Sequence, residues 1–547
     1  MRYAWNATRW PVAGLLAGLF LGPFGAFAQP SGPDGATAEQ PSSQPAARES
    51  DGGPRFDILE YVVDGNTVLS VPDIEEAVYP FLGEKKVASD VDQARDALEH
   101  AYQSHGYQTV QVFIPQQGIE SGTIHLRVVE NPVGRLRVVN ARYHTLSEIK
   151  RTAPSVAEGN VPNMKDVQGD IIALNQQPDM KVTPRLKAGQ VPGTVDVDLQ
   201  VEDHLPLHAS VEINNQYNQD TTPLRTVGTV SYGNLWQRGH SISLSYQVAP
   251  MRPSDAEVFS GSYLAPIPGT PVSALIYGVK SDSDVAAVAG TDVVGRGNIF
   301  GGRAIVSLPG TETFYHSITA GIDRKDLLQN VVTGGVDSKA PVLYYPVTLA
   351  YAATDRDSGA MTQINASVNF ALPGVASGSP EFDAQRFDAQ RGYIYFKGGA
   401  SRTQPLPLGF ELFGKAETQL SADPLLSSEQ FSMGGANSVR GYLEAERLGD
   451  LGALGTVELR SPNFGHLISP KINDWHVLAF FDGAALYLQK PLPEEQDAFH
   501  MASAGAGMRL TAFDDVNAAL DVAVPLEDGA VTKTGDVRAH FLVSAGF

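Results

Sequence analysis

The sequence contains no cysteine, which excludes disulfides and thiolate-held metals. Beyond its first 28 residues it has no apolar run long enough to cross a bilayer as a helix, so a membrane-embedded form of the rest has to be a β-barrel. Positive charge is scarce. Forty Lys and Arg face 61 Asp and Glu, a formal charge of −21, which argues against nucleic acid as a partner because that binding needs concentrated positive charge. The common catalytic motifs are missing too: there is no G-x-S-x-G, no H-E-x-x-H and no G-x-x-x-x-G-K-[ST]. The segment "GRGNIFGG" (295–302) fails a dinucleotide-binding spacing because Phe300 stands where glycine is needed, and its glycines read instead as a barrel turn or strand bend. The 12 histidines are scattered without ligand spacing, so no metal site and no cofactor are assigned. The acidic residues read as lumen or loop groups, and no enzyme is expected.

The first 28 residues hold Arg2 and Arg9, an apolar run from Val12 to Phe27 broken by Pro23, and a small-x-small ending at Ala26-Phe27-Ala28. This is the pattern of a secretory signal peptide. Its removal leaves 38 basic against 61 acidic side chains, a formal −23. Residues 29–54 are rich in proline, glycine, serine and alanine without an apolar stripe and read as a flexible linker.

From Phe56 the pattern changes. "FDILEYVVDGNTVL" alternates as a strand, and "VPDIEEAVYPFLG" predicts a helix ending at Gly83. Ser89 with Asp92 is placed to cap a second helix carrying Val91, Ala94, Leu98 and Ala101, which Gly106 stops. Two strands follow, separated by Pro115 and Gly118, and close an α+β module over 55–132. A second module over 133–203 opens with "GRLRVVNA", contains the helical "MKDVQGDIIALNQQ" and closes with "GTVDVDLQVED", giving a coarse internal repeat.

The remaining 344 residues, 204–547, are dominated by polar-apolar alternation. In "GFELFGKAETQL", Leu412, Gly414, Ala416, Thr418 and Leu420 share one face and Glu411, Lys415, Glu417 and Gln419 the other. "VNAALDVAV" repeats the pattern with Asn517 and Asp521 on its polar side. A β-sandwich would alternate as well, but the leader, the missing cysteine and the ending "HFLVSAGF" favour a barrel. In that ending Phe541, Val543, Ala545 and Phe547 lie on one face and an aromatic residue is last. It resembles the closing strand of bacterial outer-membrane barrels, which implies that Phe541 and Phe547 belong to a C-terminal barrel-assembly signal. At roughly 20 residues per strand and connection, this region holds about sixteen antiparallel strands.

The segment "GYQTVQVFIPQQGIESGTIHLRVVE" (106–130) resembles the first POTRA domain of two-partner secretion transporters, the outer-membrane exporters of haemolysins and filamentous adhesins. Gly106, Tyr107, Pro115, Gln117, Gly122 and the Val128-Val129-Glu130 ending carry the likeness, and Asn131 departs from it where the family usually has glycine. "LNQQPDMKVTPRLKAGQVPGT" is similar to the second POTRA domain. "GNLWQRGHSISLSY" (233–246) and "DPLLSSEQFSMGGANSVRGY" (423–442) resemble family strands and the long loop between the eleventh and twelfth strands. The resemblance implies that this loop folds back into the lumen near 434–446. Its tip, Val439, Arg440, Gly441 and Tyr442, would then meet an F-x-D motif on the inner wall, here Phe480 and Asp482 in "LAFFDGAAL". A guanidinium fork and a carboxylate are chemically suited to such a pair. Family members often carry an N-terminal plug helix, a feature for which 29–54 shows no apolar stripe.

The resemblance further implies periplasmic POTRA domains and a barrel in the outer membrane. The expected partners are a secreted exoprotein, unfolded in the periplasm, with periplasmic chaperones, the barrel-assembly machinery and outer-membrane lipid. With no nucleotide site, transport would be drawn by folding of the cargo outside. Two other readings stay open: a POTRA-containing factor that inserts other barrels into the membrane, and a passive porin.

Overall fold

The computed structural model describes residues 55–547 except 119–120, 176, 178, 220, 283–284, 289–290, 295, 312, 334–335 and 494. The expected signal peptide (1–28) and linker (29–54) lie outside the described residues. The chain divides into two units that meet in sequence at Pro206 and Leu207.

The first unit holds two α+β modules of one design. In the first, the central strand Thr123–Val129 runs parallel to Glu60–Asp64 and antiparallel to Gln111–Phe113. Helices Val71–Val78 and Ala88–Ser104 cover one face, burying Ile74, Leu98 and Tyr102 against Ile58, Ile124 and Leu126. In the second module, Val195–Asp203 is central between Val133–Val139 and Met180–Ala188, with the same parallel and antiparallel pairings. The repeat extends to its polar ties. Glu130, just past the first central strand, accepts from the Thr67 and Val68 amides at 2.6 and 3.1 Å and from the Thr67 hydroxyl. Asp203, ending the second, accepts from the Arg142, Tyr143 and His144 amides at 3.0, 2.7 and 3.0 Å. Burial pushes the Asp203 carboxyl up, but these amide donors outweigh it and hold the group below the usual carboxylate range. Each acid thus fastens the turn that leads into its module's first helix.

Three local details differ from the sequence expectation. The first helix ends at Val78 and passes into a 3-10 turn, Tyr79–Phe81, carrying Pro80; Gly83 then opens a short strand. The second helix starts at Ala88, and its cap contact is the Asp90 carboxylate accepting from the Val87 amide at 2.8 Å. A short helix, Leu146–Thr152, has too few turns to show a stripe. At Asn131 the backbone is left-handed, φ 46°, a conformation asparagine tolerates better than most residues. Its side chain donates to the Thr109 carbonyl at 2.7 Å.

The second unit contains a closed antiparallel barrel. Its strands are β1 Leu207–Asn214, β2 Arg225–Leu235, β3 His240–Val248, β4 Glu257–Pro266, β5 Val272–Ser281, β6 Arg296–Ser307, β7 Phe314–Thr333, β8 Val336–Tyr344 with Pro346–Asp357, and β9 Ala360–Ala371. They continue as β10 Ile394–Pro405, β11 Glu411–Ser421, β12 Leu451–Arg460, β13 Ile472–Tyr487, β14 Ala498–Ala512, β15 Val516–Pro525 and β16 Arg538–Gly546. The two stretches of β8 pair with β7 in one register, Lys325 opposite Tyr344 and Ile322 opposite Val347. The break at Tyr345, before a proline that has no amide to give, is therefore an irregularity within one strand. Sixteen strands result, closed where Leu542–Gly546 of β16 pairs with Ser210–Asn214 of β1. The segment 295–302, expected as a turn or bend, lies mostly in β6. Gly301 is needed there for space, since a Cβ would come within 2.2 Å of the Tyr277 ring.

Alternation sorts the strands into two faces. Ile276, Phe300, Leu349, Leu420 and Val457 point outward and are more than half exposed, as lipid-facing residues of a barrel must be. Gln419, Asp482, Asp521 and His540 point inward and are buried. At the end where the chain enters β1, connections are short, such as 358–359 and 513–515; at the far end lie the long 372–393 and 422–450.

Candidate functional site

The 422–450 loop is itself a hairpin. Phe431–Met433 pairs with Arg447–Gly449, and the segment between them folds back into the lumen. The tip is shaped by its own polar groups. Ser438 accepts from the Gly434 amide at 3.0 Å, Gly435 donates to the Val439 carbonyl at 3.2 Å, and Glu444 accepts from the Ala436 amide at 2.8 Å. Val439 and Tyr442 are fully buried and pack with Met433, Leu454, Leu486 and Met501. That apolar contact places the side chain between them, Arg440, against the wall.

Arg440 is 3% exposed and Asp482 0%. The arginine Nε and Nη2 donate to Asp482 Oδ2 and Oδ1, both at 2.8 Å, and its own amide donates to Oδ2 at 3.1 Å. The remaining Nη1 donates to Glu458 Oε1 at 2.7 Å and lies 4.0 Å from Asp521. The guanidinium carbon stacks 3.4 Å from the centroid of the Phe480 ring. The wall acids have cations of their own: Arg460 donates to Glu458 at 2.7 and 3.0 Å, and Arg509 to Asp521 at 2.7 and 2.8 Å. Three carboxylates thus face three guanidiniums, a balanced set in which burial does not leave a bare charge.

Gly441 turns the tip with φ 94°, and a Cβ there would meet Ala523 at 3.2 Å and Pro525 at 3.3 Å. Its amide donates to His540 Nε2 at 2.9 Å, so that nitrogen carries the lone pair. The Tyr442 hydroxyl reaches the carbonyls of Glu527 and Ala502 at 2.8 and 3.0 Å. Glu446 completes the attachment by accepting from the Val531 and Thr532 amides and the Thr532 hydroxyl at 3.0, 2.9 and 2.6 Å.

The structure therefore brings together Val439, Arg440, Gly441, Tyr442, Phe480 and Asp482. Phe541 and Phe547 lie elsewhere, on the seam. Phe547 faces outward, 68% exposed, and exchanges backbone hydrogen bonds with Ala209 of β1 at 3.1 and 3.3 Å. Sequence reasoning missed Glu458, Arg460, Arg509, His540 and Glu446 as partners. Alternation marks Glu458 and His540 as inward, but which inward residue meets the tip depends on register. Chemically, the arrangement offers no nucleophile beside a base; it holds a loop inside a barrel through contacts that can be exchanged.

Comparison with known proteins gives two family matches. Residues 56–131 match the POTRA domain, ShlB-type. Residues 352–510, which include the loop and Asp482, match the haemolysin secretion/activation protein ShlB/FhaC/HecB. The outer membrane transporter CdiB of Dickeya dadantii is 24% identical over 470 residues, 80% of this chain and 77% of its own. The heme/hemopexin transporter protein HuxB of Haemophilus influenzae is 20% identical over 523 residues, covering 91% and 88%. Among solved structures, CdiB from Escherichia coli superposes with a TM-score of 0.65 over 93% of both chains at 21% identity, a likeness of fold.

Proposed function

We infer that this chain, a member of the two-partner secretion transporter family, is an outer-membrane exporter that moves one large partner exoprotein from the periplasm through its barrel to the cell surface or medium. The observation that carries this reading is the closed sixteen-strand barrel whose lumen is occupied by its own loop, in a chain that also bears a ShlB-type POTRA domain. A passive porin has no use for the first unit.

The mechanism follows from the parts. Each POTRA sheet has two edges, Glu60–Asp64 and Gln111–Phe113 in the first and Val133–Val139 and Met180–Ala188 in the second. An unfolded cargo, kept so by periplasmic chaperones, adds a strand to such an edge, where main-chain hydrogen bonds give affinity with little demand on sequence. Pro184 in the middle of Met180–Ala188 makes that edge the poorer template. The cargo then threads the lumen as the Arg440 tip leaves Asp482, and its folding outside draws transport forward. The outward aromatic Phe547, with Phe541, serves the barrel-assembly machinery that inserts the barrel into outer-membrane lipid.

The test is comparative proteomics of medium and cell surface in wild-type and deletion strains, with porin levels measured in parallel. Loss of one large exoprotein with porins unchanged is expected. Intact secretion with depleted porins would overturn the reading in favour of barrel assembly.

A further inference from the structure

The roots of the folded loop carry a second set of buried contacts that the tip does not use. Glu429, 3% exposed, reaches the stretch of wall beside the strand from which the loop departs. Its Oε1 accepts from Lys325 Nζ at 2.5 Å and from the Tyr344 hydroxyl at 2.6 Å, and its Oε2 from the Tyr395 hydroxyl at 2.7 Å. These donors stand on β7, β8 and β10. Asp450, at the other root, is 0% exposed. It accepts from the Leu425 and Gln489 amides at 2.9 and 2.6 Å, from Gln430 at 3.0 Å and from Arg386 at 2.7 Å. Gln419 on β11 donates to the carbonyls of both Glu429 and Asp450, at 3.0 and 3.1 Å, pinning the roots together.

Between these polar ties lies an apolar layer. Leu425 and Leu426 of the loop and Phe382 and Ala389 of the 372–393 connection pack on inward residues such as Leu327 and Tyr395. Those wall positions belong to the far ends of β4–β10. Arg386 and Gln489 join three far-end connections, 372–393, 422–450 and 488–497, at one carboxylate.

We propose that this assembly is a second lock on the channel, an apolar cap at the cell-surface mouth keyed by Glu429 and Asp450, which opens separately from the Arg440 tip and has to open for cargo to leave. What passes through rests on the exporter reading; the lock itself does not. The cap holds because two buried tyrosine hydroxyls and the partly buried Lys325 ammonium need the Glu429 carboxylate, so the loop cannot lift without leaving them unmet.

A chain without native cysteine permits a single-thiol reporter, Ala389→Cys, at a position 4% exposed. In the full-length protein the readouts are labelling by a membrane-impermeant maleimide and KCl conductance across planar bilayers. With no other change the thiol is expected to be protected and the channel mostly closed. Glu429→Gln, which breaks the ion pair with Lys325, should raise labelling about a hundredfold, with open-channel frequency rising only when it is combined with Arg440→Ala. Tyr395→Phe, which removes one donor to a charge, should raise labelling about tenfold. Arg440→Ala should leave labelling within about twofold, as an independent site does. Unchanged labelling in a Glu429→Gln barrel that keeps its heat-modifiable folded form overturns the proposal, and so does a rise on Arg440→Ala as large as that on Glu429→Gln. If Glu429→Gln does not assemble, Tyr395→Phe decides, and no change there overturns it. Neither readout needs cargo, so failure of the lock leaves export standing, while failure of export would show in secretion with the lock intact.

Discussion

At the tip of the 422–450 loop a cation reaches into a wall of carboxylates, whereas at the roots carboxylates reach into a wall of donors. The difference decides which end can move. If Arg440 withdraws, Glu458 keeps Arg460 and Asp521 keeps Arg509; among the described residues only Asp482 loses its side-chain partner. A single carboxylate facing a polar lumen can be rehydrated. If a root withdraws, Lys325 and two tyrosine hydroxyls lose their carboxylate beside Leu327, Tyr393 and Phe382, and Arg386 keeps only the Gln489 carbonyl. The tip is built for exchange and the roots for retention, so the tip should release first.

Asp450→Ala is expected to have the largest effect. It leaves Arg386 with only the Gln489 carbonyl and two backbone amides without their acceptor, and breaking a buried charged contact of this kind costs about 3–5 kcal/mol. Hydrogen exchange of the amides in 425–450 should rise throughout, and the thermal midpoint of the folded band on semi-native gels should fall. A change confined to the tip amides would erase the distinction between the two ends.

Arg440→Ala comes next. It leaves Asp482 buried without a cation, and because lumen water can reach that carboxylate the cost should be nearer 2–3 kcal/mol, the range for an unmet charged hydrogen bond. Exchange should rise at 439–442 and not at 425–430, and secretion should fall at normal barrel abundance. Arg440→Lys should recover little, because an ammonium cannot span both Asp482 oxygens and Glu458 as a fork does. Normal secretion by Arg440→Ala would remove the tip from the mechanism.

Much of this molecule was legible in its sequence, and the pattern of what was not is physical. Alternation in "GFELFGKAETQL" and an aromatic-ended last strand point to a barrel because side-chain direction has period two wherever one face meets lipid. The Arg440 and Asp482 pair was legible through motif resemblance alone, since no local periodicity links positions 42 residues apart. Glu429 and Asp450 were not legible. Lys325 is 104 residues from Glu429 and Arg386 is 64 from Asp450, and only closure of the barrel and folding of two far-end connections bring them together. The start of the Ala88–Ser104 helix was misplaced for a smaller reason: an acid at its third position serves the Val87 amide whatever side chain the cap residue carries.

Gly441→Ala tests the tip's shape apart from its charge. The residue sits at φ 94°, where a Cβ is strained by about 1–2 kcal/mol, and the methyl would press on Ala523 and Pro525 at 3.2 and 3.3 Å. The tip should shift without losing its ion pair, giving partial exchange at 440–442 and partial secretion. Loss as severe as that of Arg440→Ala would mean that close approach to the wall, rather than the guanidinium, holds the tip.

The smallest expected effect is the most informative about the two ends. In a double-mutant cycle combining Arg440→Ala with Asp450→Ala, the coupling between the changes should lie within about 0.5 kcal/mol, because the two residues share no partner and separate sites add. Additive behaviour means that cargo can release the tip while the roots stay seated, so that the channel opens in two steps. A coupling well above that value would mean that strain passes along the Phe431–Met433 and Arg447–Gly449 ladder, and that the loop moves as one body, with tip and roots leaving together.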